Sequence, residues 1–285
     1  MMFKHYLITR FNLKNPRWNT TKNNETLLND EWMEHRMWLF ENFCLPSILA
    51  QSNQNFKWLI FFDSSTPDKF KTQIRELLKQ HEIILPFFID GMASFHPSIM
   101  DFITKDASTK DYIITSRIDN DDCISKHYID TVQKQFNQQP FLAIDIVKGY
   151  SLQISPKVML GKKEHVFNPF ISLIEKKDNF KTVWQSDHNM WKSEDRIIKI
   201  TKERLWMSII HEKNKVNLFD GYDDVDWFAI KNDFVVSKEI DTFINQNLVS
   251  QNEWKALSLK NKLYVNYVLM SKTLKKELGV YKLKK

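Results

Sequence analysis

An α/β fold with a mainly parallel sheet and helices on both of its faces is predicted for this 285-residue chain by three observations. Short continuous apolar runs, suited to strands buried on both faces, alternate with segments whose apolar residues recur every three or four positions. Those helical segments are long enough to serve as crossovers between parallel strands. Polar clusters follow the apolar runs directly, at the strand ends where such sheets bind ligands.

The elements follow in order. Tyr6-Leu7-Ile8 is a first strand, leaving through Thr9-Arg10-Phe11-Asn12 into a polar loop that lasts to Asp30. From Glu31 the positions Met33, Met37, Phe40 and Cys44 keep a helical period until Pro46 disturbs it. Trp58 to Phe62 is a second strand, stopped by Asp63-Ser64-Ser65-Thr66-Pro67, with a helix from Asp68 to Gln80. Ile83 to Ile89 is the next strand, Pro97 to Lys105 the next helix, and Tyr112 to Thr115 the strand before Asp119-Asn120-Asp121-Asp122. Helical spacing resumes over 125–136, and Phe141 to Val147 is another strand.

After Gly149 the pattern breaks into short alternating runs (150–158, 181–184, 205–210), predicting hairpins that cover one end of the sheet. From about Ser237 helical spacing returns, with Leu257, Leu259, Leu263, Val265, Val268 and Leu269 among many lysines. The expected organisation is a main domain over 1–236, divided into a ligand-binding half (1–148) and a half that covers one end of the sheet (149–236), followed by a helical extension over 237–285.

Composition narrows the possible functions. Five glycines are too few for a glycine-rich phosphate loop, so a bound phosphate must be gripped by side chains or metal. Two cysteines, Cys44 and Cys123, make no disulfide framework and point to a reducing, cytoplasmic setting. The apolar run at the N-terminus is short and broken by Arg10, and no other run approaches a membrane span. The sequons at Asn19 and Asn24 therefore carry no weight. A net charge of +6, with lysines gathered near the C-terminus, suits anionic partners. Nucleic acid is not expected, because no zinc-ligand spacing or RNA-binding aromatic motif accompanies that charge.

Asp119, Asp121 and Asp122 repel one another at neutral pH unless water or a cation intervenes, and they directly follow a buried strand. That pattern suggests a hard-metal site with oxygen ligands, although a solvated turn capping the next helix has the same composition. An EF-hand is excluded by Cys123 and Ile124, which stand where an oxygen ligand and glycine are required. Ser65 stands where a phosphatase built on Asp63 would place its second aspartate.

The string Arg117-Ile118-Asp119-Asn120-Asp121-Asp122 resembles the Arg-x-Asp-x-Asp-Asp signature of the putative rhamnosyltransferase family, a branch of the GT-A glycosyltransferases. Ile8 to Asn12, Leu45 to Gln51, Phe56 to Asp63, Asn168-Pro169-Phe170, and Trp206 to His211 with Asn214 are similar to further stretches of that family, in the same order. The resemblance covers about residues 3 to 220. It implies a Rossmann-like GT-A sheet with a smaller mixed acceptor-side region, and transfer of a sugar from a nucleotide-sugar donor. Thr9, Arg10, Asn12, Asp63, Arg117 and Asp119 would lie on the donor, with Mg²⁺ or Mn²⁺ held by Asp119, Asp121 and His211.

An inverting transfer needs a base near the acceptor hydroxyl, beyond the metal cluster in sequence. Asp187, Glu175 and His188 are the candidates, with Asp187 ranked ahead of Glu175. Trp184 and Trp191 are candidates to stack on an acceptor sugar, and Asp220 to Asp226 is either a second cation site or an exposed turn. The basic C-terminal helix suits peripheral contact with the inner face of a membrane carrying a lipid-linked or glycan acceptor. The competing functions are a sugar-phosphate nucleotidyltransferase and a non-catalytic nucleotide- or sugar-binding protein.

Overall fold

The structure, a computed structural model, describes residues 2–15, 29–214 and 218–282. Most of the expected 13–30 loop, with Asn19 and Asn24, and the terminal Lys284 and Lys285 lie outside the described residues. Nine strands form one sheet in the order β3-β2-β1-β4-β8-β6-β9-β5, with β7 paired to β6. Its first part is parallel: β3 (Ile84–Ile89), β2 (Lys57–Asp63), β1 (Phe3–Arg10) and β4 (Tyr112–Arg117).

Alternation along these strands explains their unbroken apolar runs. Leu7, Trp58, Ile60, Phe62 and Ile114 face one side, against α1 (Asp30–Leu39), α2 (Leu45–Leu49), α3 (Asp68–Leu78) and α5 (Tyr128–Gln133). Tyr6, Ile8, Leu59, Phe61 and Ile113 face the other, against α4 (Phe95–Asp106). With a period of two, a strand covered by helices on both faces must be apolar at every position.

The sheet is more mixed than the sequence suggests. β8 (Ser172–Lys176) runs antiparallel to β4 and β6, while β6 (Phe141–Gln153) and β9 (Ile197–Ile210) pair in parallel. β5 (Cys123–Ile124) and β7 (Met159–Glu164) close this half as antiparallel partners of β9 and β6. The runs expected separately at 141–147 and 150–158 are largely one strand, and 205–210 is the end of a longer one, whereas 181–184 forms no strand.

Pro46 does not end the first helical segment. A π-helical turn over Phe40–Cys44 links α1 to α2, and Pro46 sits in the first turn of α2. Proline cannot donate to the carbonyl four residues back, Asn42. That oxygen instead accepts the Ser237 N–H at 2.9 Å, from the N-cap of α7 (Lys238–Asn247). Ile240 and Ile244 of α7 join a buried cluster with Phe43, Leu152, Leu160, Met207 and Trp227, the last from α6 (Trp227–Ile230). α8 (Lys255–Glu277) then packs through Ser258 and Asn261 on the 219–223 segment. No described helix is long and apolar enough to cross a membrane.

Candidate active site

The carboxyl ends of β1, β2 and β4 lie side by side, so their polar exits form one wall. Several residues expected on the donor are spent within this wall. Thr9 is fully buried and its hydroxyl accepts the Trp58 indole N–H at 2.9 Å, which places it in the core rather than the crevice. Asn12 donates to Thr66 at 2.9 Å and accepts the Asp63 N–H at 3.1 Å. Asp63 is 3% exposed and accepts from Ser65 and from the Lys14 N–H. Burial alone would raise the Asp63 pKa, but these hydrogen bonds bring it below the usual carboxylate range. Asn12 and Asp63 therefore shape the turn beside the site.

The four residues after β4 separate into different roles. Asp119 keeps an open side chain, 36% exposed, with Oδ1 3.9 Å from the Arg117 guanidinium. Arg117 is buried with its guanidinium 3.8 Å from the centroid of the Trp184 ring, and Arg10 reaches the same ring at 5.6 Å. Asn120 donates to the Phe11 carbonyl at 3.2 Å. Asp121 is buried between Arg36, at 2.5 Å, and His211, at 3.2 Å. Burial opposes its ionisation, but the Arg36 and His211 partners overcome that and hold its pKa far down. Asp122 has the opposite fate. Burial, compounded by the neighbouring Asp121 and Asp119 charges, pushes its pKa well up, and its Oδ1 accepts the Ile209 N–H at 3.0 Å. It ties the cluster to β9.

His211 arrives from the end of β9. Asn214 accepts the His211 backbone N–H at 2.7 Å and places its own amide nitrogen 3.0 Å from Nε2, which accounts for the spacing of these two residues. The Nδ1 atom is buried without a partner among the described residues, and the ring lies 4.9 Å from His35. Carboxylate oxygen and imidazole nitrogen facing each other in a buried polar corner are donors that fit Mg²⁺ or Mn²⁺. Yet no group of three or more His, Cys, Asp or Glu among the described residues is arranged around one point. Asp119 faces Arg117, and a guanidinium already sits on Asp121.

Arg36 and His35 were missed by sequence reading, because α1 reads as a packing helix. Arg36 also donates to Asn120 Oδ1 at 3.2 Å, and its guanidinium lies 5.3 Å from the ring of Trp32, one turn back. The available signal was a cation set inside the apolar stripe, between Met33 and Met37. Burial, with His211 and the Arg36 and Lys213 charges nearby, lowers His35 to about 4.

The candidate bases separate sharply. Glu175 pairs with Ile113 at the opening of β4, at the opposite end of that strand from Asp119. Because β8 is antiparallel, its front end presents Ser172 instead, and Glu175 accepts the N–H groups of Lys181 and Thr182. The structure therefore does not bring Glu175 to the site. Trp191 is likewise packed in a buried cluster with Ala143, Ile171 and Leu173. Asp187 and His188 follow Trp184, the ring on which Arg117 is stacked, and the Arg117 charge contributes to lowering the pKa of both.

Asp187 is exposed and caps its own short helix through the Asn189 N–H at 2.9 Å. The His188 Nδ1 lies 2.7 Å from the Phe167 carbonyl, so it carries the proton and leaves Nε2 as the acceptor, 3.8 Å from Asp187. Burial and the nearby Arg117 charge lower the His188 pKa despite that carbonyl. The carbonyl is itself fixed: Phe167 adopts a φ of 57°, its N–H donates to Asp145 at 2.8 Å, and Asn168 donates to Asp145, Ile146 and His165. This is the physical content of the Asn168-Pro169-Phe170 motif.

A family model described as "Putative rhamnosyl transferase" matches residues 4–220. The chain belongs to this family of glycosyltransferases. None of the curated proteins compared matches it significantly. Staphylococcus aureus TarS 1–349 in complex with UDP matches with 11% identity and a TM-score of 0.41, over 73% of this chain and 60% of that one. Its UDP-GlcNAc complex matches with 11% identity and a TM-score of 0.40, over 90% and 71%. A "putative nucleotide-diphospho-sugar transferase" of Desulfovibrio desulfuricans G20 matches with 13% identity and a TM-score of 0.37, over 87% and 99%. This rhamnosyl transferase family member thus spans 60% of the length of the first TarS structure. In it the 220–226 acidic stretch is committed to internal contacts: Asp220 pairs with Lys163, Asp223 with Lys262 and Lys162, and Asp226 caps α6.

Proposed function

We propose that this chain moves a sugar, with inversion, from a nucleotide-sugar donor to a hydroxyl of a glycan or lipid-linked acceptor. The observation that supports this reading is that His188, in the segment whose Trp184 ring stacks on Arg117 beside Asp119, turns Nδ1 to the Phe167 carbonyl and so leaves Nε2 able to accept a proton. The acceptor oxygen forms its bond to the anomeric carbon as the bond from that carbon to the diphosphate oxygen breaks. The acceptor proton passes to His188 Nε2. A neutral imidazole accepts it more readily at neutral pH than the Asp187 carboxylate, whose pKa is held below the usual range, which supports His188 over Asp187.

Arg10 and Arg117 supply positive charge beside Asp119, suited to the donor diphosphate. Asp121 and His211, joined by Asp119, would hold Mg²⁺ or Mn²⁺, which when bound supplies further positive charge to the leaving diphosphate. Thermal shift against nucleoside diphosphates and nucleotide sugars, with and without Mn²⁺, tests the donor site. Metal-dependent stabilisation by one nucleotide class, lost in Asp121→Ala, is expected. No nucleotide response under any metal condition would sink the transferase reading, and pyrophosphate release from a nucleoside triphosphate and a sugar phosphate would favour a nucleotidyltransferase.

A further inference from the structure

α8 is docked with its faces reversed. The residues it buries against the protein are Ser258, Asn261 and Val265, two of them polar. Ser258 accepts the Asp223 N–H at 2.9 Å, and Asn261 donates to the Phe219 and Gly221 carbonyls. On the opposite side Leu259, Leu263, Tyr267, Met270, Leu274 and Leu278 are each between 52% and 71% exposed. Their spacing of three and four residues lines them along one stripe, roughly 30 Å long at 1.5 Å per residue. A helix normally buries such a stripe, and a contiguous outward one marks a contact surface.

The charge on the helix indicates what covers it. α8 carries six lysines and one acidic residue, Glu277. Lys262, Lys272 and Lys276 turn inward, to Asp223, to His165 and the Val166 carbonyl, and to the Lys192 and Glu194 carbonyls. Lys255, Lys260 and Lys275 stay exposed. Pairing two copies through this stripe would set a basic helix against itself, with a single carboxylate on each to offset the repulsion. A negatively charged lipid surface satisfies both features at once, taking the Leu, Met and Tyr side chains below its headgroups and the lysines among them.

We infer that α8 lies in the interface of an anionic bilayer, held by its apolar stripe and by Lys255, Lys260 and Lys275. The contact differs from the expected basic face, since half of the helix lysines are engaged by the protein. The C-terminal part of its inner face rests on the 165–167 segment, where Lys272 meets His165 and the Val166 carbonyl and Lys276 lies over the Phe167 ring. The lipid contact stands without the transferase reading, whereas presentation of a lipid-linked acceptor there rests on it.

The test is sedimentation of the full chain with phosphatidylcholine vesicles, with and without phosphatidylglycerol. Binding should require phosphatidylglycerol. It should fall by roughly tenfold or more in Leu263→Glu/Met270→Glu, and also fall in Lys260→Glu/Lys275→Glu, with thermal melting unchanged because these side chains are exposed. No vesicle binding by the wild-type chain, or equal binding by the Leu263→Glu/Met270→Glu chain, overturns the inference. So does a concentration-dependent dimer in sedimentation velocity that this variant converts to monomer. Nucleoside diphosphate thermal shifts on the same preparations separate the two readings. A nucleotide response without vesicle binding defeats only the lipid contact, and vesicle binding without a nucleotide response defeats only the transferase.

Discussion

The parallel half of the sheet and its mixed half build the same crevice by different means. β1, β2 and β4 deliver Arg10, Asp63 and Asp119 by ending together, so position along each strand decides what reaches the site. On the other side, β9 brings His211 to Asp121 from 90 residues away, and β8, running backward, carries Glu175 out of reach. The lesson is that strand direction, which local sequence does not encode, sorts residues of equal chemical promise into used and unused.

The largest expected effect breaks the comparison at its base. His188→Gln should lower kcat by roughly a hundredfold or more with little change in KM, while Asp187→Asn should cost about tenfold or less. The proposed mechanism uses the neutral imidazole, so the wild-type rate should fall with acid through a pKa below the usual 6.5 of histidine, and His188→Gln should lose that limb. Equal losses in both variants, or a large loss confined to Asp187→Asn, would return the base to Asp187. A Glu175→Gln chain should retain its pH profile.

A second effect probes the mixed half alone. A methyl group on Gly149 would meet the Trp206 ring at 2.2 Å, and that ring is stacked on Phe170 and bonded through Nε1 to the Ile146 carbonyl, so it has nowhere to go. Gly149→Ala should therefore cost about 3 kcal/mol in chemical denaturation. A near-neutral value would mean that β6 and β9 can shift their register, which already slips between Lys148 and Gly149.

The smallest effect sharpens the metal question on the parallel side. With Arg36 on Asp121, a divalent cation must displace a guanidinium, so Arg36→Met should raise Mn²⁺ affinity in the absence of nucleotide by roughly tenfold, measured by calorimetry. The same chain should melt lower without metal, because a buried carboxylate has lost its partner, and recover with Mn²⁺. Unchanged affinity would mean that Asp121 holds no cation and that Arg36 is its permanent counter-ion.

The local sequence determined the parallel strands, their helices and the acidic cluster, because two-sided burial writes an unbroken apolar run and a strand end writes a polar stop. It also carried the segments that resemble the family, down to Asn168 and Asn214, whose hydrogen bonds hold His188 and His211 in place. What it left open was decided by pairing over long separations. Thr9 and Asp119 both lie at strand exits, yet one faces Trp58 and the other solvent. Pro46 continues a helix because Ser237, 191 residues later, satisfies the carbonyl that proline cannot. α8 has an apolar stripe of the kind that helices usually bury, and only the packed molecule turns it outward, because the polar Ser258 and Asn261 find backbone partners on the body that leucine cannot supply.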